Sequence, residues 1–467
     1  MKITFIAHAA ILVETKGIGI LSDPWWQGSC FGAQWWLHPN AYLDPVEARA
    51  PDFIYISHGH SDHLHHATLR RLPKTAKVLV SNALDIAAPI RDLGFDVIEI
   101  APKTPTEIAP GVKIEITPTM GGDTYMVIDD GEEICFNFND AVHATPDDYQ
   151  ADCIADLLAR YRRPDYVFCG YGTASHFPNC YVVPGMDAPA TAAKRQTHFN
   201  RVWARIARET GARFAFPFAA DLVFFDDDLM WANEPIHNGG RPTDIFDAEN
   251  PDSETQAIDL APGFCIDSGE IVREVLFKPV SNEALREERP RDVKAANQFS
   301  HPDRSQMEEL ARLVQRNVDI CIDFLRERHR DYRFLLALKG AEAAIEVEKK
   351  GDDFTVSVVD APFDTDRYDI VFTTRFSYLR RALTTQYGHE GIFVGSGGIF
   401  AYRDRATADQ NLHRELWVLL QDVKHAPHSR FGDQPEWLYE LKTGIKTLMG
   451  HKPSTLYDLK SWIVYKD

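Results

Sequence analysis

Two rhythms of apolar and polar positions run through the first half of the chain. Short apolar or alternating runs at residues 3–6, 10–14, 19–21, 53–56, 77–80, 97–100, 113–117, 125–128, 134–137 and 166–169 predict strands. Gly17, Gly94, Gly111 and Gly131 punctuate them as turn residues. Helical spacing occupies residues 64–72, 83–93, 154–162 and 190–210. Hairpin-like strands followed by strand–helix alternation predict a mixed α/β fold. Residues 234–260 hold Pro235, Gly239, Gly240 and Pro242 among several acids, and read as a loop, a lid or a boundary. Residues 302–330 predict a long amphipathic helix, with Met307, Leu310, Leu313 and Val314 at helical spacing. Beyond it, strand patterns at 334–338, 344–349, 354–359 and 369–373 precede a helix at 377–385. The expected division is therefore 1–260 for a first domain, 261–330 for a linker and long helix, and 331–467 for a C-terminal α+β domain.

Length and composition narrow the function classes. A chain of 467 residues has material for two or three domains. The net charge of −19 argues against a nucleic-acid partner, because a phosphate backbone needs a basic footprint. No apolar stretch is long enough to span a bilayer, so no membrane partner is expected. The start, Met1 to Ile6, alternates like a first strand and lacks a signal-peptide layout. Seven scattered cysteines with no Cys-x-x-Cys pair fit free thiols in a reducing cytoplasm. The same scatter excludes an intrinsic Rieske cluster, which needs paired Cys and His ligands.

The candidate chemistry starts at Ser57-His58-Gly59-His60-Ser61-Asp62-His63, directly after the apolar run 53–56. A strand, a short loop and a helix in succession present three imidazoles and one carboxylate at a sheet edge. Imidazole and carboxylate together suit zinc or iron better than calcium or magnesium. His58 and His60 are two residues apart at a strand end and point to one side. His65 and His66 extend the cluster into the predicted helix as surface residues or outer partners.

The order His-x-His-x-Asp-His resembles the signature of the metallo-β-lactamase superfamily. The resemblance implies a four-layer αββα sandwich, with His58 and His60 on one metal and Asp62 and His63 on a second. The opening His8-Ala9-Ala10, followed by Asp23-Pro24, is similar to the branch holding L-ascorbate-6-phosphate lactonase-like proteins. There a histidine near the first hairpin lies beside the metals, which makes His8 an outer-shell or ligand candidate. Where the superfamily supplies a further histidine, this chain has Thr117 to Tyr125, with Asp123 the ionisable group. Asp123 in that role makes the site harder and more suited to iron. Asp140, at the end of the buried run 134–138, matches the family's bridging carboxylate, and a bare charge there would otherwise be costly. His143 is a further ligand candidate. The family's last histidine is absent from the stretch Phe214 to Ala219, and His176 could enter from another loop, with His198 and His237 as weaker candidates.

These departures have a pattern. Asn137-Phe138-Asn139-Asp140, Ser175-x-x-Pro178-x-Cys180-Tyr181 and Pro217-Phe218-Ala219 resemble the catalytic domain of CMP-N-acetylneuraminate hydroxylases over roughly residues 1–240. That family uses iron, O2 and outside electrons. The resemblance implies two metal ions, with iron preferred and zinc or manganese as alternatives. It also implies a small polar substrate and, for an oxygenase, a separate electron donor. A hydrolase acting on an ester, lactone or phosphodiester, with Asp62 orienting the nucleophile, is the second expectation, and a metal-free scaffold the third. The C-terminal part resembles a sterol-carrier-like α+β appendix, whose expected roles are packing, homo-oligomer formation or walling the substrate pocket. Trp25, Trp26, Trp35 and Trp36 predict hydrophobic packing, and Arg195, Arg201 and Arg205 a solvated helix face.

Overall fold

The alternating runs at the start of the chain become strands Lys2–Ala7, Ala10–Thr15 and Ile18–Ser22, a meander in one eight-stranded sheet. Its order runs Glu270–Arg273, Cys265–Asp267, Lys2–Ala7, Ala10–Thr15, Ile18–Ser22, Phe53–Tyr55, Lys77–Ser81 and Asp96–Ile100. From Ile18–Ser22 onward the pairing is parallel. A computed structural model describes residues 1–422 except 121, 173–176, 221, 328–329, 386 and 410–411. A second sheet of seven strands runs Gln256–Ala257, Phe214–Phe218, Tyr166–Gly170, Ile134–Asn139, Thr124–Asp129, Val112–Pro118 and Thr106–Ala109. Its first four strands are parallel.

Side-chain alternation along the strands decides the layers. Ile3, Phe5, Val13 and Tyr55 of the first sheet pack with Ile114, Met126, Phe168 and Phe216 of the second, forming the core between the sheets. Their neighbours Ile6, Leu12, Ile54 and Ile56 face the other way, onto Leu64, Leu69, Ile86 and Ile90. Phe136, Phe138 and Val167 turn outward onto the helical residues Ile154, Leu157, Trp203 and Ile206. Helix, sheet, sheet, helix is the four-layer order expected from the sequence. Strands buried on both faces are what a parallel sheet demands, and explain the unbroken apolar runs at 53–56 and 166–169.

The chain forms two compact units. The first comprises Met1–Thr173, Ala193–Phe224 and Asn233–Glu288, and the described residues of the second fall within 174–192, 225–232 and 289–467. Residues 265–273 supply two strands to the first unit's sheet. The stretch 234–260 is not an open loop. It carries the helices Asn233–His237 and Pro242–Glu249 and the strand Gln256–Ala257. In the second unit the long helix is Arg304–Ile320, opened by a capping box in which Asp303 and Gln306 bond reciprocally. It buries Met307, Leu310, Ala311, Val314 and Val318. It stops at Cys321, and a separate short helix, Ile322–Glu327, follows. The six-stranded sheet of this unit runs Tyr181–Val182, Gly398–Tyr402, Ile370–Thr374, Tyr332–Leu338, Ala343–Lys350 and Asp353–Asp360. Among the described residues no helix is long and apolar enough to cross a membrane.

Candidate metal centre

Parallel strands end together, and side chains just past their carboxyl ends converge. In the first unit the strand ends Ser22, Tyr55 and Asn139 are followed by Asp23, by the loop 57–63 and by Asp140. The loop is tied to the second sheet by Thr124, whose hydroxyl donates to the Ser57 carbonyl at 2.6 Å, and Tyr55 donates its hydroxyl to the Thr124 carbonyl at 2.8 Å. A turn at His60, whose carbonyl accepts from the N–H groups of His63 (3.1 Å) and Leu64 (2.8 Å), swings Asp62 and His63 inward.

Four non-glycine residues at these strand ends hold left-handed backbone: His8 (φ 47°), Asp23 (φ 34°), Asn139 (φ 52°) and Ala219 (φ 57°). That conformation is costly for side chains bearing a Cβ, and its clustering at one edge marks a place where position outranks local comfort.

The donors lie as follows. His58 Nε2 is 2.9 Å from His60 Nδ1 and 3.9 Å from Asp123 Oδ1. His63 Nε2 is 3.2 Å from both Asp62 Oδ2 and Asp140 Oδ2. His8 Nε2 is 3.2 Å from Asp62 Oδ2. Two sets thus have ligand atoms within 4.8 Å of one another: His8 with Asp62 and His63, and His58 with His63 and Asp140. The opposite ring nitrogens are held from outside. Ser57 Oγ lies 2.9 Å from His58 Nδ1, and Asp23 Oδ2 lies 3.2 Å from His63 Nδ1. This is the arrangement that aims a ligating imidazole. Buried polar atoms are normally paired. Here His63 Nε2, Asp62 Oδ1, Asp140 Oδ1 and His143 Nδ1 are buried with no hydrogen-bond partner among the described residues, as is His8 Nδ1.

The electrostatics are those of a compressed mixed-charge cluster. Burial, with help from the His63 charge, depresses the His58 pKa to about 4. Burial and His58 lower His60 as well. Burial alone would lower His63, but the charge of Asp62 and the surrounding carboxylate oxygens of Asp140, Asp23 and Asp62 raise it well above the usual imidazole range. Burial works to raise Asp62 and Asp140, yet His63 holds both below the ordinary carboxylate range. Asp123 goes the other way, since burial lifts it and Asp140 adds repulsion. The thiols of Cys30 and Cys169 are pushed up by burial and by the charges of Asp62 and Asp140, respectively. The donor set is nitrogen and oxygen.

The structure brings His58, His60, Asp62, His63, Asp123, Asp140 and His8 together. His143 is buried, sits 3.3 Å through Nε2 from the Gly172 carbonyl, and feels the charges of Asp140 and Asp123. His176 lies outside the described residues. His237 is turned to the Leu222 carbonyl. His65 caps the short helix His66–Leu69, all that forms of the helix expected over 64–72. Trp25 is fully buried, its ring edge-on to His8 at 5.2 Å. Arg195 departs from its expected solvated face: it is buried, and its charge helps lower His143.

Sequence reasoning gives no role to Asp23, Ser57 or Gly170. Asp23 is fully buried, accepts the Ser57 N–H at 2.8 Å and also takes the Asn139 side-chain amide. The clue was available: a charge ending an apolar strand, the same signal that picked out Asp140. Gly170 left no such clue. A Cβ there would lie 2.8 Å from Cε1 and Nδ1 of His143 and 2.9 Å from the Asn139 carbonyl oxygen. Gly170→Ala is therefore expected to displace His143 and cost about 1–3 kcal/mol through overpacking. An unchanged thermal midpoint would show that the ring has room to yield.

Fold and site together define a metallo-β-lactamase-type αββα sandwich carrying a histidine–carboxylate cluster at its strand ends. In agreement, residues 2–119 match the model of the Beta-lactamase superfamily domain. The chain is 30% identical over 261 residues to a putative Rieske 2Fe-2S iron-sulfur protein of Mycobacterium tuberculosis, covering 53% of this chain and 48% of that protein. It thus spans about half the length of that relative. Cytidine monophosphate-N-acetylneuraminic acid hydroxylase of Asterias rubens is 43% identical over 75 residues, 15% of this chain and 11% of the hydroxylase. A UPF0173 metal-dependent hydrolase of Carboxydothermus hydrogenoformans is 47% identical over 64 residues, 14% of this chain and 24% of the hydrolase. Among solved structures, CmlA, a diiron beta-hydroxylase from Streptomyces venezuelae, superposes with TM-score 0.37 at 18% identity over 57% of this chain and 53% of its own. Isothiocyanate hydrolase from Delia radicum gut bacteria superposes with TM-score 0.40 at 16% identity over 57% of this chain and 99% of its own.

Proposed function

We propose that this protein is a dinuclear metal enzyme, an O2-dependent iron oxygenase acting on a small polar metabolite. The observation that carries the metal reading is the convergence of buried nitrogen and oxygen donors that lack hydrogen-bond partners among the described residues. The first ion would take His58, His60 and Asp123, with His143 and His176 as further candidates. The second would take Asp62 and His63, and Asp140 would serve both. Iron is favoured by Asp123, a carboxylate 3.9 Å from His58 where a zinc hydrolase of this fold would use an imidazole.

Iron in this centre would supply O2 activation, with electrons from a separate donor protein. The chain's own residues do the rest. Ser57 and Asp23 orient the rings of His58 and His63 by holding their Nδ1 atoms. Asp62 and Asp140, each 3.2 Å from His63 Nε2, would balance the positive charge of ions held there. The second reading, a hydrolase, is favoured by the local likeness to a metal-dependent hydrolase over 64 residues. In it the ions would lower the pKa of a water, which Asp62 would orient.

Metal analysis of protein made in iron-rich medium separates the two. Two irons per chain, with the visible absorption of a coupled iron pair, are expected. Zinc in their place, with turnover of generic esters or phosphodiesters, would overturn the oxygenase in favour of the hydrolase. Absence of bound metal after growth with either ion would leave the scaffold.

A further inference from the structure

An ion seated between Asp62 and His63 has two donors of its own and a share in Asp140. Four donors are the usual complement around zinc-sized ions bonded to nitrogen and oxygen. His8 is a further imidazole within reach. It is buried, with 2% of its surface exposed. Its Nε2 lies 3.2 Å from Asp62 Oδ2, the same oxygen that stands 3.2 Å from His63 Nε2. Around an ion bonded at about 2.1 Å, neighbouring tetrahedral donors stand about 3.4 Å apart. The spacing from His8 through Asp62 to His63 is that of adjacent corners around one ion.

The backbone is built to keep His8 there. Its φ of 47° puts a side chain where glycine would sit more comfortably. Its carbonyl accepts from the Ala219 N–H at 2.9 Å, itself in a left-handed residue. On the adjoining strand, Ser22 Oγ accepts the Ile11 N–H at 3.0 Å and donates to the Ala9 carbonyl at 2.7 Å, clamping the far side of the hairpin. Trp25 packs edge-on against the ring. Strain of this kind persists where the surroundings over-determine it.

The geometry points to His8 as a direct ligand of the second ion, not an outer hydrogen-bonding partner of Asp62. This assignment rests on the two-metal reading above, and the test keeps the two apart. Full-length protein is stripped with a chelator and titrated with Co(II), counting ions by elemental analysis and measuring affinity against a competing chelator. Wild type is expected to bind two ions. His8→Ala should keep one and bind the other more than about 100-fold more weakly, beyond the 10–100-fold that loss of an outer partner costs. His8→Cys should bind two and add a sulfur-to-cobalt charge-transfer absorption, which only a side chain touching the ion can produce. It also reports if His8→Ala fails to fold. Two ions in wild type and in both variants, with affinity unchanged in His8→Ala and no new absorption in His8→Cys, would overturn the His8 assignment alone. Fewer than two ions in wild type would overturn the two-metal reading and the assignment with it.

Discussion

Asp140→Ala is expected to empty the site: bound metal falls from two ions per chain to none or nearly none, and any activity of the centre goes with it. Asp140 Oδ2 stands 3.2 Å from His63 Nε2 and shares a ligand-sized cluster with His58. It interacts with His63 on one side, and on the other its charge supports protonation of His58 and His143 and opposes ionisation of Asp123, so it acts on both halves of the centre. Without it, three buried imidazoles lose a common counter-charge, and in the proposed two-ion centre both ions would lose a shared donor. Asp123 lies 3.9 Å from His58, and in the proposed assignment Asp123→Ala should weaken one ion. Elemental analysis of the two variants after identical loading is the comparison to make. Retention of two ions by Asp140→Ala would rule out the bridging role.

The second large effect is expected at Asp23, which the proposed metal assignment leaves outside the ligand set. Asp23→Ala should lower stability by about 3–5 kcal/mol and metal affinity by about 10–100-fold. The carboxylate has no exposed surface and serves the Ser57 N–H, His63 Nδ1 and the Asn139 amide at once. Removing it strands the Ser57 N–H and the Asn139 amide, each worth about 1–3 kcal/mol when left unsatisfied, and leaves His63 Nδ1 with Ser57 Oγ at 3.4 Å. Against a total stability of about 5–15 kcal/mol for a domain, that is a large share. Asp23→Asn keeps one acceptor and should lose less. Denaturant melts of metal-free protein read the first effect, and chelator competition reads the second. A melt that does not move would mean that Ser57 and Asn139 find other partners.

Local contiguity explains what could be read ahead of the structure. The loop at 57–63 carries its donors within six positions, and the strand before it is an unbroken apolar run. Asp140 follows a buried strand directly, so its charge stood out in the one-dimensional pattern. The sandwich was legible because period-two alternation assigns each strand two faces, and those faces became the layer between the sheets and the two layers of helices. The helix predicted over 64–72 forms only in part. Its apolar spacing is met by a single turn, His66–Leu69, because the residues around it pack from loop onto the sheet.

The fold class and the imidazole-and-carboxylate character of the loop were already written in the order of the residues. These are properties of neighbours along the chain: periodicity, strand ends and residue type. Which strand ends meet was set by the closing of the two sheets. The tertiary structure joined Asp23 to Asn139 across 116 residues and His8 to Asp62 across 54, set Arg195 inside the protein, and made Gly170 the residue that leaves room for His143. Pairing of distant strands is chosen by the summed burial of whole faces. No single residue announces it, and the outer partners that aim the histidines emerge only once the sheets have closed on each other.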